Sequence, residues 1–219
     1  STACASSLIS ILTAMRSIRD GQCDVMLTGG GASIDPLFAA GFDRMGVLAK
    51  HSHPNQACRP FDRCRNVFVM GQGASMFVVE RRSHALNRGA RIYSELVSGA
   101  ILAEAHHVTG LDMESETLTH LIRQTLAKGS VEPKEIGYIN AHGTGTAQND
   151  LVEMRSIRQA LGSAADQVSV SASKSMIGHL VNAAGGVELA ITVLAQRDGY
   201  APPTINLNDI DPACTFDCV

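Results

Sequence analysis

The sequence predicts an α/β fold whose sheets are largely covered by helices. Apolar runs of strand length alternate with longer segments of helical periodicity. Glycines and polar turns separate them, and 45% of the residues are hydrophobic, enough for a substantial core. Leu8, Ile11, Leu12, Met15 and Ile18 recur at helical spacing, and Gly21 stops that helix. Asp24 to Thr28 reads as a short buried strand, after which Gly29-Gly30-Gly31 is expected to turn the chain sharply. Residues 73–80 form a second apolar run, expected as a central strand. Between these strands lie turn-rich stretches, including His51-Ser52-His53-Pro54-Asn55 and Arg59-Pro60-Phe61-Asp62. A second series begins near Arg91. It gives strand over 92–102, helix over 115–128, strand over 136–141, helix over 150–161, strand over 168–171 and helix over 180–196. The last helix is apolar on nearly every side, so deep burial is predicted for it. The polar stretch from Arg81 to Arg91 separates the two series and divides the chain into 1–85 and 86–219. Residues 206–219 read as loop leading into the start of a strand.

Composition narrows the function classes. The chain has 219 residues and a net charge of −3, and no long basic run, which argues against nucleic acid as a partner. Its apolar stretches are interrupted well before membrane-spanning length, and no charged start leads into an apolar leader, so neither a membrane span nor a secretory signal is expected. Six cysteines without a dense framework read as reduced thiols in a cytoplasmic protein.

Three segments carry chemistry: Ser1-Thr2-Ala3-Cys4-Ala5-Ser6-Ser7, Asn140-Ala141-His142-Gly143-Thr144-Gly145-Thr146, and Lys174-Ser175-Met176-Ile177-Gly178-His179. A cysteine at a helix start has its thiolate stabilised by the helix end, and the free N–H groups there can hold the oxygen of a tetrahedral adduct. The competing reading is a small packed thiol, although Ser and Ala on both sides leave Cys4 sterically open. His142 and His179 each occupy a glycine-containing turn. Either can be an ordinary hydrogen-bonded histidine. Together, their Nε–H groups can donate to one thioester carbonyl oxygen and stabilise the enolate formed as a carboxylate leaves as carbon dioxide. Lys174 lies five residues before His179, with a solvated surface lysine as the alternative reading, and Glu188 on the apolar helix that follows is placed to neutralise it. The combination points to acyl-thioester chemistry.

These segments resemble the β-ketoacyl-acyl-carrier-protein synthases, most of all the type II fatty-acid elongation enzymes, with polyketide ketosynthases next. The matching motifs are Thr2-Ala3-Cys4, Arg59-Pro60-Phe61-Asp62, the Asn140–Thr146 and Lys174–Leu180 segments, and Pro202-Pro203-Thr204-Ile205-Asn206-Leu207. The resemblance implies a thiolase-like fold, an αβαβα layered sandwich of two pseudo-repeated halves, usually homodimeric. Here that fold is expected to lack its N-terminal part and its C-terminal end, so the chain is expected to be a piece of a longer enzyme, inactive alone. The resemblance also implies decarboxylative Claisen condensation in fatty acid biosynthesis. Cys4 accepts an acyl group from the phosphopantetheine of acyl carrier protein, and His142 and His179 promote decarboxylation of malonyl-acyl-carrier-protein to give a 3-oxoacyl product. Lys174 organises the site with Glu188. Asp150 and Glu153 match acidic positions that support the site, with capping of the helix they begin as the alternative. No cofactor or metal is implied beyond the carrier's phosphopantetheine.

Two departures from the family pattern stand in Arg65-Asn66-Val67-Phe68-Val69-Met70-Gly71-Gln72-Gly73. Val67 replaces a glycine, which restricts the backbone, and Gln72 removes a negative charge. His51 with His53, His106 with His107, Cys58 with Cys64, and Cys214 with Cys218 lack the paired spacing of a zinc module. Gly29-Gly30-Gly31 follows a strand without a nucleotide-binding pattern and is read as permitting tight packing. A non-condensing partner subunit resembling chain-length factors is disfavoured by the presence of Cys4, and a thiolase by the paired histidine motifs. Asn140 before Ala-His leans towards fatty-acid rather than polyketide service.

Overall fold

The computed structural model describes residues 2–51, 53–107, 110–114, 116–214 and 216–219. The chain forms two compact units, each assembled from three separate stretches. The first comprises Ser1–Ser33, Gly71–Val97 and Leu180–Tyr200; the second comprises Ile34–Met70, Ser98–His179 and Ala201–Val219. Among the described residues no helix is long and apolar enough to cross a membrane.

In the first unit, helix α1 (Ser6–Arg19) is followed by strands β1 (Val25–Ala32) and β2 (Gly73–Glu80), short helix α3 (Arg82–Asn87) and helix α7 (Ala184–Asp198). α1 forms where the apolar spacing predicts it and buries Ser7, Ile11, Ala14 and Ile18. Arg16 and Arg19 lie in its last turn, where the helix dipole favours cations, and Gly21 ends it with a φ of 76°.

β1 and β2 pair antiparallel from Val25↔Glu80 to Ala32↔Gly73. Gly29-Gly30-Gly31 therefore continues the strand instead of turning it, correcting the sequence expectation. The physical reason is proximity: a Cβ on Gly29 would fall 2.0 Å from Ser75 O, and one on Gly30 2.8 Å from Ser7 Cβ. The packing role read for these glycines is the one they have. At the end of β2, Arg88 donates from Nε and Nη2 to the Glu80 carboxylate, each at 2.7 Å, and His84 also binds it. Arg81 ties this corner to Asp24 and to the Ile18 carbonyl, each at 2.8 Å.

Deep burial of the whole apolar helix α7 is not observed. It buries Ala184, Gly185, Gly186 and Glu188, while Leu194 remains 43% exposed. Burial follows from neighbours, and within this unit α1, β1 and β2 meet α7.

The second unit contains α2 (Pro36–Arg44), α4 (Glu116–Gly129), α5 (Ala147–Leu161), α6 (Lys174–Ile177) and a parallel sheet β3-β4-β5. Its strands are Tyr138–Asn140, Ser169–Ser171 and Asp217–Cys218. α5 is the crossover between β3 and β4, as parallel neighbours require. The core gathers Phe61, Ala141, Met154, Ile157, Leu161, Val168, Val170, Ala172 and Cys214. α4 packs along α5, with Thr119 Oγ1 donating to Gln159 Oε1 at 2.9 Å. Residues 92–102, expected as a strand, carry no ladder. Apolar patterning supplies a strand's faces, but only a neighbouring backbone supplies its hydrogen bonds.

Candidate active site

In the second unit the chain leaves β3 at Asn140 and returns as α5 at Ala147, with His142 between. The Ala141 amide still pairs with Ser171 O at 2.8 Å, so the loop begins from a fixed strand end. Gly143 has a φ of 39°, and a Cβ there would lie 2.4 Å from Ala172 Cβ. Only glycine lets the loop lie this close to the turn after β4.

Two carboxylates on the first turns of α5 hold the loop. Glu153 accepts the amides of His142 at 2.6 Å and Gly143 at 2.8 Å. Asp150, fully buried, accepts the amides of Phe61 at 2.9 Å and Gly145 at 3.2 Å, and lies 3.5 Å from Arg65 Nε. Their hydrogen bonds thus go to neighbouring loops, while the α5 N-cap residue, Thr146, makes no side-chain cap bond. Burial dominates their ionisation. It raises Asp150 above the usual aspartate value and lifts Glu153 to about 7, against the lowering effect of the amides each accepts.

Lys174, in the first turn of α6, is fully buried. Its Nζ donates to His142 O at 2.6 Å and lies 3.2 Å from His142 Nδ1. An ammonium has no lone pair to offer, so His142 Nδ1 is the acceptor and the ring proton resides on Nε2. Gly178 ends α6 with a φ of 72°. The His179 amide donates to Val69 O at 2.7 Å, and its ring stands edge-to-face on Phe68 at 5.2 Å. The His142 and His179 rings meet at 5.2 Å and 87°. A file of edge-to-face contacts continues from Phe68 to Phe42 and Phe38 on α2, beside an apolar groove of about 440 Å³ lined by Leu37, Phe38, Phe42 and Met45.

Both imidazoles are held neutral. Burial and then the Lys174 charge, with His179 after it, push His142 well below its usual value; burial and Lys174 bring His179 to about 3. Two neutral rings beside a fixed positive charge are poor general acids near neutral pH and good hydrogen-bond donors to an oxygen on which negative charge develops.

Several supporting residues escaped the reading of single residue types. Thr204 Oγ1 accepts the Ala172 amide at 3.0 Å, and Ser175 Oγ accepts the Ile205 amide at 3.0 Å. Asn206 bridges the carbonyls of Asn55 and Cys58, each at 2.9 Å. The buried Cys58 thiol donates to Lys174 O at 3.1 Å, and burial raises its pKa to about 11. Pro202–Leu207 was legible as a motif; which amides it takes was not. Phe61, wholly buried at a φ of 66°, is locked between Asp150 and Asp62, and Asp62 accepts the amides of Cys64, Asn208 and Asp209. The φ of Val67 is not positive, so its backbone does not require glycine for a left-handed conformation. Gln72 lies exposed just before β2.

Cys4 and Glu188 belong to the first unit. Cys4 lies half-buried in a 3₁₀ turn, Ala3–Ala5, that runs directly into α1, so it stands at a helix start as read from the sequence. Glu188 is buried on α7, and its carbonyl accepts Thr192 Oγ1 at 2.8 Å.

Comparison with known proteins bears on both units. Residues 1–85 match the family model described as beta-ketoacyl synthase, N-terminal domain, and residues 93–208 the one described as beta-ketoacyl synthase, C-terminal domain. The chain is 42% identical over 220 residues to 3-oxoacyl-[acyl-carrier-protein] synthase 2 of Synechocystis, covering all of this chain and 53% of that protein. It is also 42% identical over 221 residues to the actinorhodin polyketide putative beta-ketoacyl synthase 1 of Streptomyces coelicolor, covering all of this chain and 47% of that protein. Among solved structures, a type II polyketide ketosynthase in complex with its acyl-carrier protein superposes with a TM-score of 0.97 at 34% identity. That match covers the whole of this chain and 54% of the other. The α/β fold is therefore thiolase-like, and the chain spans about half the length of the curated relatives it matches.

Proposed function

The chain belongs to the β-ketoacyl synthase family, and from that membership we propose that it carries the reacting groups of a decarboxylative condensing enzyme. Cys4 takes an acyl group from the phosphopantetheine thioester of an acyl carrier protein. A malonyl-carrier thioester then places its carbonyl oxygen against Nε2–H of His142 and of His179. The carboxylate leaves as carbon dioxide, and its bonding electrons form an enolate stabilised by the two donors. The enolate carbon attacks the acyl thioester, expelling the Cys4 thiolate and giving a 3-oxoacyl-carrier product. Lys174 fixes the His142 tautomer, burial and the Lys174 charge together keep both imidazoles neutral, and Glu188 is assigned the balancing charge by family analogy. Asp150 and Glu153 hold the loop that carries His142.

The observation that carries the reading is the neutral His142–His179 pair at 5.2 Å with a buried ammonium 3.2 Å from one ring. Service in fatty acid synthesis is favoured by Asn140 before Ala141-His142. The polyketide reading is supported as well by the 42% identity to the actinorhodin protein. A homodimer is proposed by family analogy, and the linear division at 1–85 and 86–219 from the polar stretch that separates the two series. The test is intact-mass analysis of the full-length protein after incubation with acyl-carrier-protein. An acyl adduct that disappears in Cys4→Ala is expected, with carbon dioxide release from malonyl-carrier lost in His142→Ala and His179→Ala. A protein that forms no adduct under saturating donor is a non-condensing partner instead. Fatty-acyl and polyketide starter carriers, compared by kcat/KM, separate the two pathways.

A further inference from the structure

The proposed nucleophile sits in a turn that needs an external anchor. Ala3 adopts a φ of 48°, a left-handed conformation that a residue with a side chain keeps only where its surroundings enforce it. Two clamps are local: Ser6 Oγ donates to Ala3 O at 2.8 Å and accepts the Thr2 amide at 2.9 Å. They tie the turn to itself. The next residue ties it to the rest of the unit.

Ser7 is 1% exposed, and its Oγ accepts the amide of Gly186 at 2.9 Å, in the first turn of α7. That amide is among the donors every helix start leaves unfilled. The residue at the α7 N-cap, Ala183, makes no side-chain bond to fill it. The surrounding space is closed. A Cβ on Gly30 of β1 would come 2.8 Å from Ser7 Cβ, one on Gly186 3.2 Å from it, and one on Gly185 2.4 Å from Leu8 Cγ. Both β1 and α7 lack side chains where Ser7 and Leu8 enter.

A serine this close to a helix start would ordinarily be assigned to capping its own helix. α1 instead has Ala5 at its N-cap with no side-chain cap bond, and Ser7 caps α7 across the interface. Resting on the reading of Cys4 as acyl acceptor, we infer that Ser7 is a positioning residue for that sulfur. Its hydroxyl fixes the height and rotation of the first turn of α1, and so the place of the residue three positions earlier.

The test is acylation of the full-length protein by acyl-carrier-protein, with Cys4 alkylation by iodoacetamide followed across pH. Ser7→Ala is expected to lower the acylation rate constant about tenfold or more, leave KM for the carrier substrate unchanged, and lower the alkylation plateau. Ile11→Val, a destabilising control in the same helix, should lower the melting temperature without that split. Gly186→Ala disturbs the same bond from the donor side and must reproduce the Ser7→Ala kinetics; it decides the matter if Ser7→Ala does not fold. Wild-type protein that takes no acyl group on Cys4 defeats the nucleophile reading itself. Wild-type that acylates, with Ser7→Ala or Gly186→Ala keeping its rate constant and alkylation profile, defeats the positioning role alone.

Discussion

Lys174 has its ammonium 2.6 Å from one oxygen and 3.2 Å from one ring nitrogen of His142, so a single buried charge acts on both the position and the protonation of that residue. Replacing it with methionine keeps most of the volume and removes the charge. Both histidines should then titrate at higher pH, which ¹⁵N NMR of the imidazoles would read directly. Carbon dioxide release from malonyl-carrier should fall by about 10² or more, the scale seen when one preorganised element of oxyanion stabilisation is lost. Unchanged imidazole titration in Lys174→Met would contradict the proposed role. At this scale the sequence was informative: Cys4, His142, His179 and Lys174 stood out by residue type and by the glycines beside the histidines. Cys58, Thr204 and Ser7 did not, because each acts through one hydrogen bond to a backbone group far away in the chain.

At the scale of elements, α5 holds its neighbouring loop by two side chains one turn apart. With Glu153 lifted to about 7, the carboxylate that accepts the His142 and Gly143 amides is half protonated near neutral pH. Turnover should therefore rise with pH through about 7, and Glu153→Gln, which offers one acceptor and one donor where two acceptors are needed, should lower kcat and flatten that limb. A pH–kcat profile of the two proteins checks it. Gly143→Ala combines a positive φ with a contact at 2.4 Å and should cost about 1–3 kcal/mol of stability, measured by urea unfolding. Helices α1, α4 and α5 were legible because their apolar spacing is local. The glycine run of β1 and the unladdered 92–102 segment were not, since a strand's extent is decided by its partner's backbone.

For the molecule as a whole, the buried ionisable groups pull stability in opposite directions with pH. Histidines depressed in the folded state bind their protons only after unfolding, so they cost stability as pH falls below about 6.5. Glu153 is raised, so its contribution is fully present below about 4.5 and is lost as pH rises through about 7. Between about pH 4.5 and 6.5 each histidine contributes a slope of up to about 1.4 kcal/mol per pH unit. The unfolding free energy of wild-type minus that of His142→Ala/His179→Ala should therefore increase across that window, measured by urea denaturation at several pH values. A pH-independent difference would mean that the two rings are not buried neutral.

The sequence by itself determined the family, the α/β class and the residue types of the candidate site. These depend on periodicity and on which side chains stand beside which glycines, and both are local in the chain. Only the tertiary structure decided that Lys174 reaches His142 rather than solvent, that Glu153 and Asp150 take loop amides rather than cap their own helix, and that Ser7 caps α7. The physical reason is common to all three. A buried polar group must find a partner, and which partner it finds depends on backbone brought near by folding, not on the residues adjacent in sequence.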